Sequence, residues 1–204
     1  DRDLDGSYDE SAAVHIQLEG ETAVCDSDAV SIDGSRITLL DEGTYLVSGA
    51  LTDGQIVVDA GDTDKVQIVL ASASLTCADS AAIYSKSADK VFLTLAEGTE
   101  NTLTNGGSYT AIDKNNIDSV VFSKTDLTLN GSGSLTIDAQ AGHGVVSKDE
   151  LTITGGNFKQ PGESRYTVYN ANTATISGGT FTAESTVVGS DYFAGGANTG
   201  KLTI

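Results

Sequence analysis

A phrase that returns at a nearly constant interval constrains this chain more than any other feature. Ser123-Lys124-Thr125-Asp126-Leu127-Thr128-Leu129-Asn130-Gly131 comes back as Ser147-Lys148-Asp149-Glu150-Leu151-Thr152-Ile153-Thr154-Gly155, and again, more diverged, as Asn170-Ala171-Asn172-Thr173-Ala174-Thr175-Ile176-Ser177-Gly178. Its apolar landmark moves from Leu127 to Leu151 to Ala174, steps of 24 and 23 residues. That interval is too short for a globular domain. It suits one coil of a β-solenoid, in which equivalent positions of stacked coils form columns.

The same columns extend in both directions. Lys65-Val66-Gln67-Ile68 and Lys90-Val91-Phe92-Leu93 share the apolar/polar alternation, and Lys201-Leu202-Thr203-Ile204 begins another copy that stops in mid-strand. A second register runs ahead of the first, through Ile83-Tyr84, Val121-Phe122, Val145-Val146 and Val168-Tyr169. The step from Val91 to Leu127 is 36 residues, so this coil carries an outward insertion, placed at Gly106 to Asn116. Alternation of period two with abundant Thr, Val and Ile predicts half-buried strands. Gly155-Gly156 and Gly178-Gly179 follow the strand at one offset, where a sharp corner needs positive φ. An antiparallel sandwich is the main rival, but it gives no reason for a fixed period. The expectation is an all-β, single-stranded parallel β-helix forming one domain over 1–204. Residues 1–35 form an irregular N-terminal cap, and stacked coils fill 36–204, the last of them incomplete.

Lys plus Arg number 11 against 29 Asp plus Glu, a formal charge of −18. That excess argues against nucleic acid and anionic membranes as partners. It fits either the solubility of a secreted product or the binding of hard cations, Ca²⁺ first, through oxygen ligands. No apolar run approaches the ~18 residues of a membrane span. The chain begins without Met or a signal peptide, so any leader is expected to be removed or left out. Cys25 and Cys77 are expected as free thiols. A coil lies between them, and two coil spacings of about 4.8 Å place them beyond disulfide reach.

Three acidic groups are candidate cation ligands: Asp1, Asp3 and Asp5 before Gly6; Asp26 and Asp28; and Asp113, Asn115, Asn116 and Asp118 in the insertion. Alternate oxygen-bearing side chains with a Gly suit a loop around Ca²⁺, whereas a frayed terminus or a self-satisfied Asx turn needs no ion. Asp126 and Asp149 beside Lys124 and Lys148, with Asp89 near Lys86, suit salt-bridge ladders. An exposed row of Lys124 and Lys148 also fits the carboxylates of an acidic sugar polymer. Tyr84, Phe122 and Tyr169 share one phrase position, either an outward aromatic stack or a core ladder. The outward reading makes Tyr84 and Tyr169 sugar platforms. His143, between Gly142 and Gly144, is a corner residue rather than a general base, and no catalytic constellation stands out.

Asp1-Arg2-Asp3-Leu4 with Tyr8-Asp9, Gly43-Thr44-Tyr45-Leu46-Val47-Ser48-Gly49, Asp53-Gly54-Gln55-Ile56-Val57-Val58, Ala81-Ala82-Ile83-Tyr84, Glu97-Gly98-Thr99-Glu100-Asn101-Thr102-Leu103-Thr104 and Phe122 to Leu135 resemble a family of bacterial secreted carbohydrate-binding β-helix proteins. Its described members bind polygalacturonate and cellulose and carry calcium. The similarity covers roughly residues 1–156. It implies a right-handed parallel β-helix, export to the cell exterior or surface, and Ca²⁺-assisted polysaccharide binding. Beyond Gly156, where that family has an Asp-Gly-Ile corner, this chain has Tyr166-Thr167-Val168-Tyr169. The leading expectation is therefore a non-catalytic extracellular protein that binds acidic plant-type polymers. A filament or adhesin subunit that self-associates end to end is the second reading, and a polysaccharide lyase using Lys124, Lys148 or Arg165 is the third.

Overall fold

Strands dominate because apolar residues alternate with Thr, Ser and Asn along every repeat. The computed structural model describes residues 2–162, 165–170, 172–184, 186–190 and 200–203. Among the described residues the strands form two sheets, one of 13 strands and one of 8. In the larger sheet one arm runs through Lys65–Cys77, Lys90–Leu95, Asp126–Gly131, Leu151–Ile153 and Ala174–Ile176. The other arm runs from Lys65–Cys77 through Glu100–Asn105, Ser134–Asp138, Asn157–Gln160, Thr180–Ala183 and Gly200–Thr203. The smaller sheet orders Val30–Asp33, Arg36–Leu39, Gln55–Asp59, Ile83–Ser87, Ser119–Ser123, His143–Ser147, Tyr166–Asn170 and Thr186–Ser190.

Vertical register follows the repeat. Leu127 pairs with Leu151, and Leu151 with Ala174; Val121 pairs with Val145, and Val145 with Val168. Gly156 and Gly179 turn the corner with φ of 101° and 100°, a region closed to most side chains. Between the sheets lies one core, to which both contribute: Ile68, Leu93, Leu129 and Ile153 from one arm, Leu103, Ile137, Phe158 and Phe181 from the other, and Val121, Val145 and Val168 from the smaller sheet. Cys25 and Cys77 are free, and burial pushes the Cys77 thiol up to about 11.

The architecture corrects the expected single-stranded right-handed parallel β-helix with an N-terminal cap. Lys65–Cys77 is one long strand that pairs with Lys90–Leu95 through Lys65 to Leu70 and with Glu100–Asn105 through Ser74 to Cys77. It bends at Ser72, whose φ is 63°, and its register against Gly43–Leu51 slips between Val47 and Gly49. Bending without breaking fuses two walls into one curled, half-barrel-like sheet, faced by the second sheet. Strands are also not all parallel. Val14–Gly20 runs antiparallel to Ala23–Val24, Val30–Asp33 to Arg36–Leu39, and Thr180–Ala183 to Gly200–Thr203. The stretch expected as an irregular cap supplies strands, and Val14–Gly20 pairs in parallel with Gly43–Leu51. A period reports which residues stack; it does not report whether neighbouring walls join or which way the end strands run.

Candidate functional site

Alternation along the smaller sheet sends Ile56, Ile83, Val121, Val145 and Val168 into the core and their successors outward. Val57, Tyr84, Phe122, Val146 and Tyr169 therefore form a column on the outer face. The insertion folds over the first part of it: Ile117, Ile112 and Tyr109 pack against Val57, Ala81, Tyr84, Phe122 and Val146 as a separate small core. Tyr84 is thereby fully buried, and its ring is closed to a sugar. Its hydroxyl donates to Asp113 Oδ2 at 2.6 Å and accepts from Asn115 Nδ2 at 2.9 Å. Asp113 Oδ1 accepts from the Asn115 backbone N–H and Nδ2, both at 2.7 Å. Burial opposes the Asp113 charge, but the bonds from Tyr84 and Asn115 and the nearby Lys124 ammonium outweigh it and hold the carboxyl below the usual range. Burial, aided by the Asp113 carboxylate, pushes the Tyr84 phenol up.

Past the insertion the face opens into an aromatic group. The His143 ring stacks on Tyr166 at 5.3 Å and on Tyr169 at 4.7 Å between centroids, and the two tyrosines lie 5.6 Å apart. Tyr166 and Tyr169 are half-buried and His143 is buried. Cations border the group: Lys148 Nζ lies 5.6 Å from the centre of the Phe122 ring, and Arg165 and Lys148 both act electrostatically on His143. Arg165 is placed by its backbone N–H, which donates to Gly142 O at 2.9 Å. Half-buried rings beside cationic side chains suit a ring-shaped ligand with an anionic substituent.

The sequence profile of a family described as "Carbohydrate-binding domain-containing protein" matches residues 33–192. The chain belongs to this carbohydrate-binding domain family. A relative from Acetivibrio thermocellus carrying the same description is 37% identical over 133 residues, which is 64% of this chain and 46% of the relative. The carbohydrate-binding domain thus spans about half the length of that curated relative. A solved structure, "Structure of the polysaccharide lyase-like protein from C. thermocellum, Gadolinium derivative", superposes with a TM-score of 0.82 at 30% identity, over 90% of this chain and 76% of that one.

In the carbohydrate-binding domain, the expected site residues separate into distinct places. Lys124 and Lys148 are exposed on the outer face of the smaller sheet, near the insertion and the aromatic group respectively. Asp113 and Asn115 bond each other and Tyr84, while Asn116 is exposed. The Asp118 carboxylate interacts with His143 and Tyr109 instead. Asp26 and Asp28 are exposed. Asp5 accepts from the Ser7 N–H at 2.9 Å. Asp3 pairs with Lys90, and Asp1 lies outside the described residues. No group of three or more His, Cys, Asp or Glu converges among the described residues. Both Asp113 oxygens already accept hydrogen bonds from Tyr84 and Asn115. The expected lysine–aspartate ladders are also rearranged: Asp89 pairs with Lys65, and Lys86 with Asp59, each at 2.5 Å and well exposed. Such pairs contribute little to stability.

His143 and Tyr166 were missed as partners. The signal was present, since His143 precedes Val145 by the same two residues as Tyr166 precedes Val168. His143 Nδ1 and Asp118 Oδ1 are buried without a hydrogen-bond partner. Burial lowers the His143 pKa; Asp118 opposes that shift, and Arg165 and Lys148 reinforce it. The unfolded chain therefore binds the extra proton first. The stability linked to His143 is present above its ordinary pKa of 6.5 and is lost as pH falls below it. His143→Phe keeps an aromatic ring between Tyr166 and Tyr169 but cannot titrate. Its melting temperature should fall less than that of the unaltered domain between about pH 7.5 and pH 5. Parallel losses in the two proteins would show that His143 is not the titrating group.

Proposed function

We propose that this carbohydrate-binding domain works outside the cell and holds an acidic plant-type polysaccharide such as polygalacturonate along the outer face of its smaller sheet. The observation that carries this reading is the Tyr166–His143–Tyr169 stack bordered by Lys148 and Arg165. A tyrosine face packs against the apolar side of a pyranose. Guanidinium and ammonium groups meet its carboxylate, the former in a planar, two-pronged contact. The −18 charge of the chain opposes a polyanion at long range. Ca²⁺ bridging between exposed protein carboxylates and those of the polymer offsets this.

The test is retention on immobilised polygalacturonate with millimolar Ca²⁺ and with excess chelator, against cellulose in parallel. Retention on polygalacturonate is expected to drop when the ion is removed, while any retention on neutral cellulose is indifferent to chelator. Full retention in chelator would remove calcium from the proposal, and no retention under either condition would remove the polymer.

A further inference from the structure

The segment of residues 2–13 crosses the outer face of the larger sheet like a strap. Asp3 Oδ1 accepts from Lys90 Nζ at 2.8 Å and from Thr128 Oγ1 at 2.6 Å, and Asp3 O accepts from Thr154 Oγ1 at 2.6 Å. The Arg2 guanidinium lies 4.8 Å from the centre of the Phe92 ring, with Lys90 Nζ at 5.7 Å. Farther along, Tyr8 and Ala13 pack on Leu46, Val69 and Ala96. Between these two anchors Gly6 packs against the sheet at Asn130 and Gly131, and beside it lies a cleft of about 460 Å³ lined by Leu4 and Tyr8 of the strap and by Thr94, Gly131, Ser132 and Thr154 of the sheet.

The floor is polar, and its bonds are incomplete. Thr44 Oγ1 donates to Gln67 Oε1, Gln67 Nε2 to Thr94 Oγ1, and Thr94 Oγ1 to Asn130 Oδ1. This relay ends at Asn130 Nδ2, a donor on a side chain only 1% exposed and without a partner. Asn130 pairs with Thr94 on one side, and on the other the ladder ends one residue before it, at Leu129 with Ile153. Gly6 of the strap passes over it: a Cβ on Gly6 would come within 3.2 Å of Asn130 Oδ1. A buried donor left unpaired costs free energy, so the strap is an imperfect cover for this surface.

We propose that the sheet face covered by residues 2–8, from the Asp3 anchor to the adjoining cleft, is a second saccharide site, shaped for a uronate unit, in which the Asp3 carboxylate stands in for the carboxylate of the ligand. A uronate that displaces Asp3 finds the same ammonium and hydroxyl, Lys90 and Thr128. Its ring then lies on Phe92, once the Arg2 guanidinium has left with the strap, and its hydroxyls reach Asn130 Nδ2 and Thr154. Competition from the strap lowers the apparent affinity by the fraction of time it is shut. The choice of a uronate rests on the acidic-polymer reading above, whereas the location does not.

The test uses the full chain and two probes, the galacturonate trimer and neutral cellotriose, by titration calorimetry. Asp3→Ala should bind the galacturonate trimer at least about fivefold more tightly, as expected if the strap is shut four-fifths of the time or more. Adding Lys90→Gln should erase that gain, and adding Lys148→Gln should leave it in place, separating this cleft from the smaller-sheet face. Cellotriose should show no gain. In the unaltered chain, saturating galacturonate trimer should speed amide hydrogen exchange at residues 4–8. An unchanged or weaker affinity in Asp3→Ala, a gain that survives Lys90→Gln, an equal gain for cellotriose, or exchange at residues 4–8 that slows or stays constant would each overturn the proposal.

Discussion

Phe158→Ala is expected to lower the unfolding free energy by about 3–5 kcal/mol, the usual cost of emptying a buried aromatic site. Phe158 is 1% exposed, pairs with Leu135 on one side and Phe181 on the other, and stacks on the Phe181 ring at 4.9 Å with 17° between planes. The cavity cannot close easily. Gly156 already lies so close that a Cβ there would come within 2.7 Å of the Phe158 ring, and the flanking strands are fixed by their ladders. Urea denaturation should show an earlier midpoint at an unchanged slope. Phe158→Leu, which keeps most of the volume, should lose much less. A loss below about 1 kcal/mol for the alanine variant would mean that the ring stack contributes little to the core.

The second large effect concerns binding. Lys148→Gln combined with Arg165→Gln should weaken retention on polygalacturonate by roughly 30-fold. Each cation in contact with a carboxylate at the surface contributes on the order of 1 kcal/mol, and about 1.4 kcal/mol is a factor of ten. Neither side chain is buried, so the melting temperature should stay within about a degree or two, as for most surface substitutions. Lys159→Gln, on the opposite arm of the larger sheet, provides the control for net charge alone. If that single variant weakens retention as much as the double variant does, the effect is one of overall charge and the face is wrongly placed.

How much of this was legible beforehand depends on whether a feature repeats. Leu127, Leu151 and Ala174 stack because a period is a direct record of neighbourhood between repeats, and the corner glycines follow from the same record. Tyr84, Phe122 and Tyr169 do fall in one outward column. That Tyr84 is buried there could not be read, because its cover comes from the insertion, which occurs once. Fusion of two walls into a curled sheet turns on the bend at Ser72, a single residue with no counterpart in the phrase. The strap was equally hidden. Asp3 meets Thr128 and Thr154 across separations of 125 and 151 residues, and its composition reads as a loose acidic end. Asp113 looked available for an ion because its partner, the Tyr84 hydroxyl, lies 29 residues away.

The fixed register has a consequence for how such a protein changes over generations. Val145 pairs with Val168 and Leu151 with Ala174 at the same 23-residue offset. A duplication or deletion of one such unit therefore leaves both ladders in phase. Each added unit contributes one more rung to the outer column; if that column holds a polysaccharide as proposed, retention should grow multiplicatively with the number of rungs. Slippage during replication is thus a direct route to a longer or shorter outer face, with no new fold to be invented.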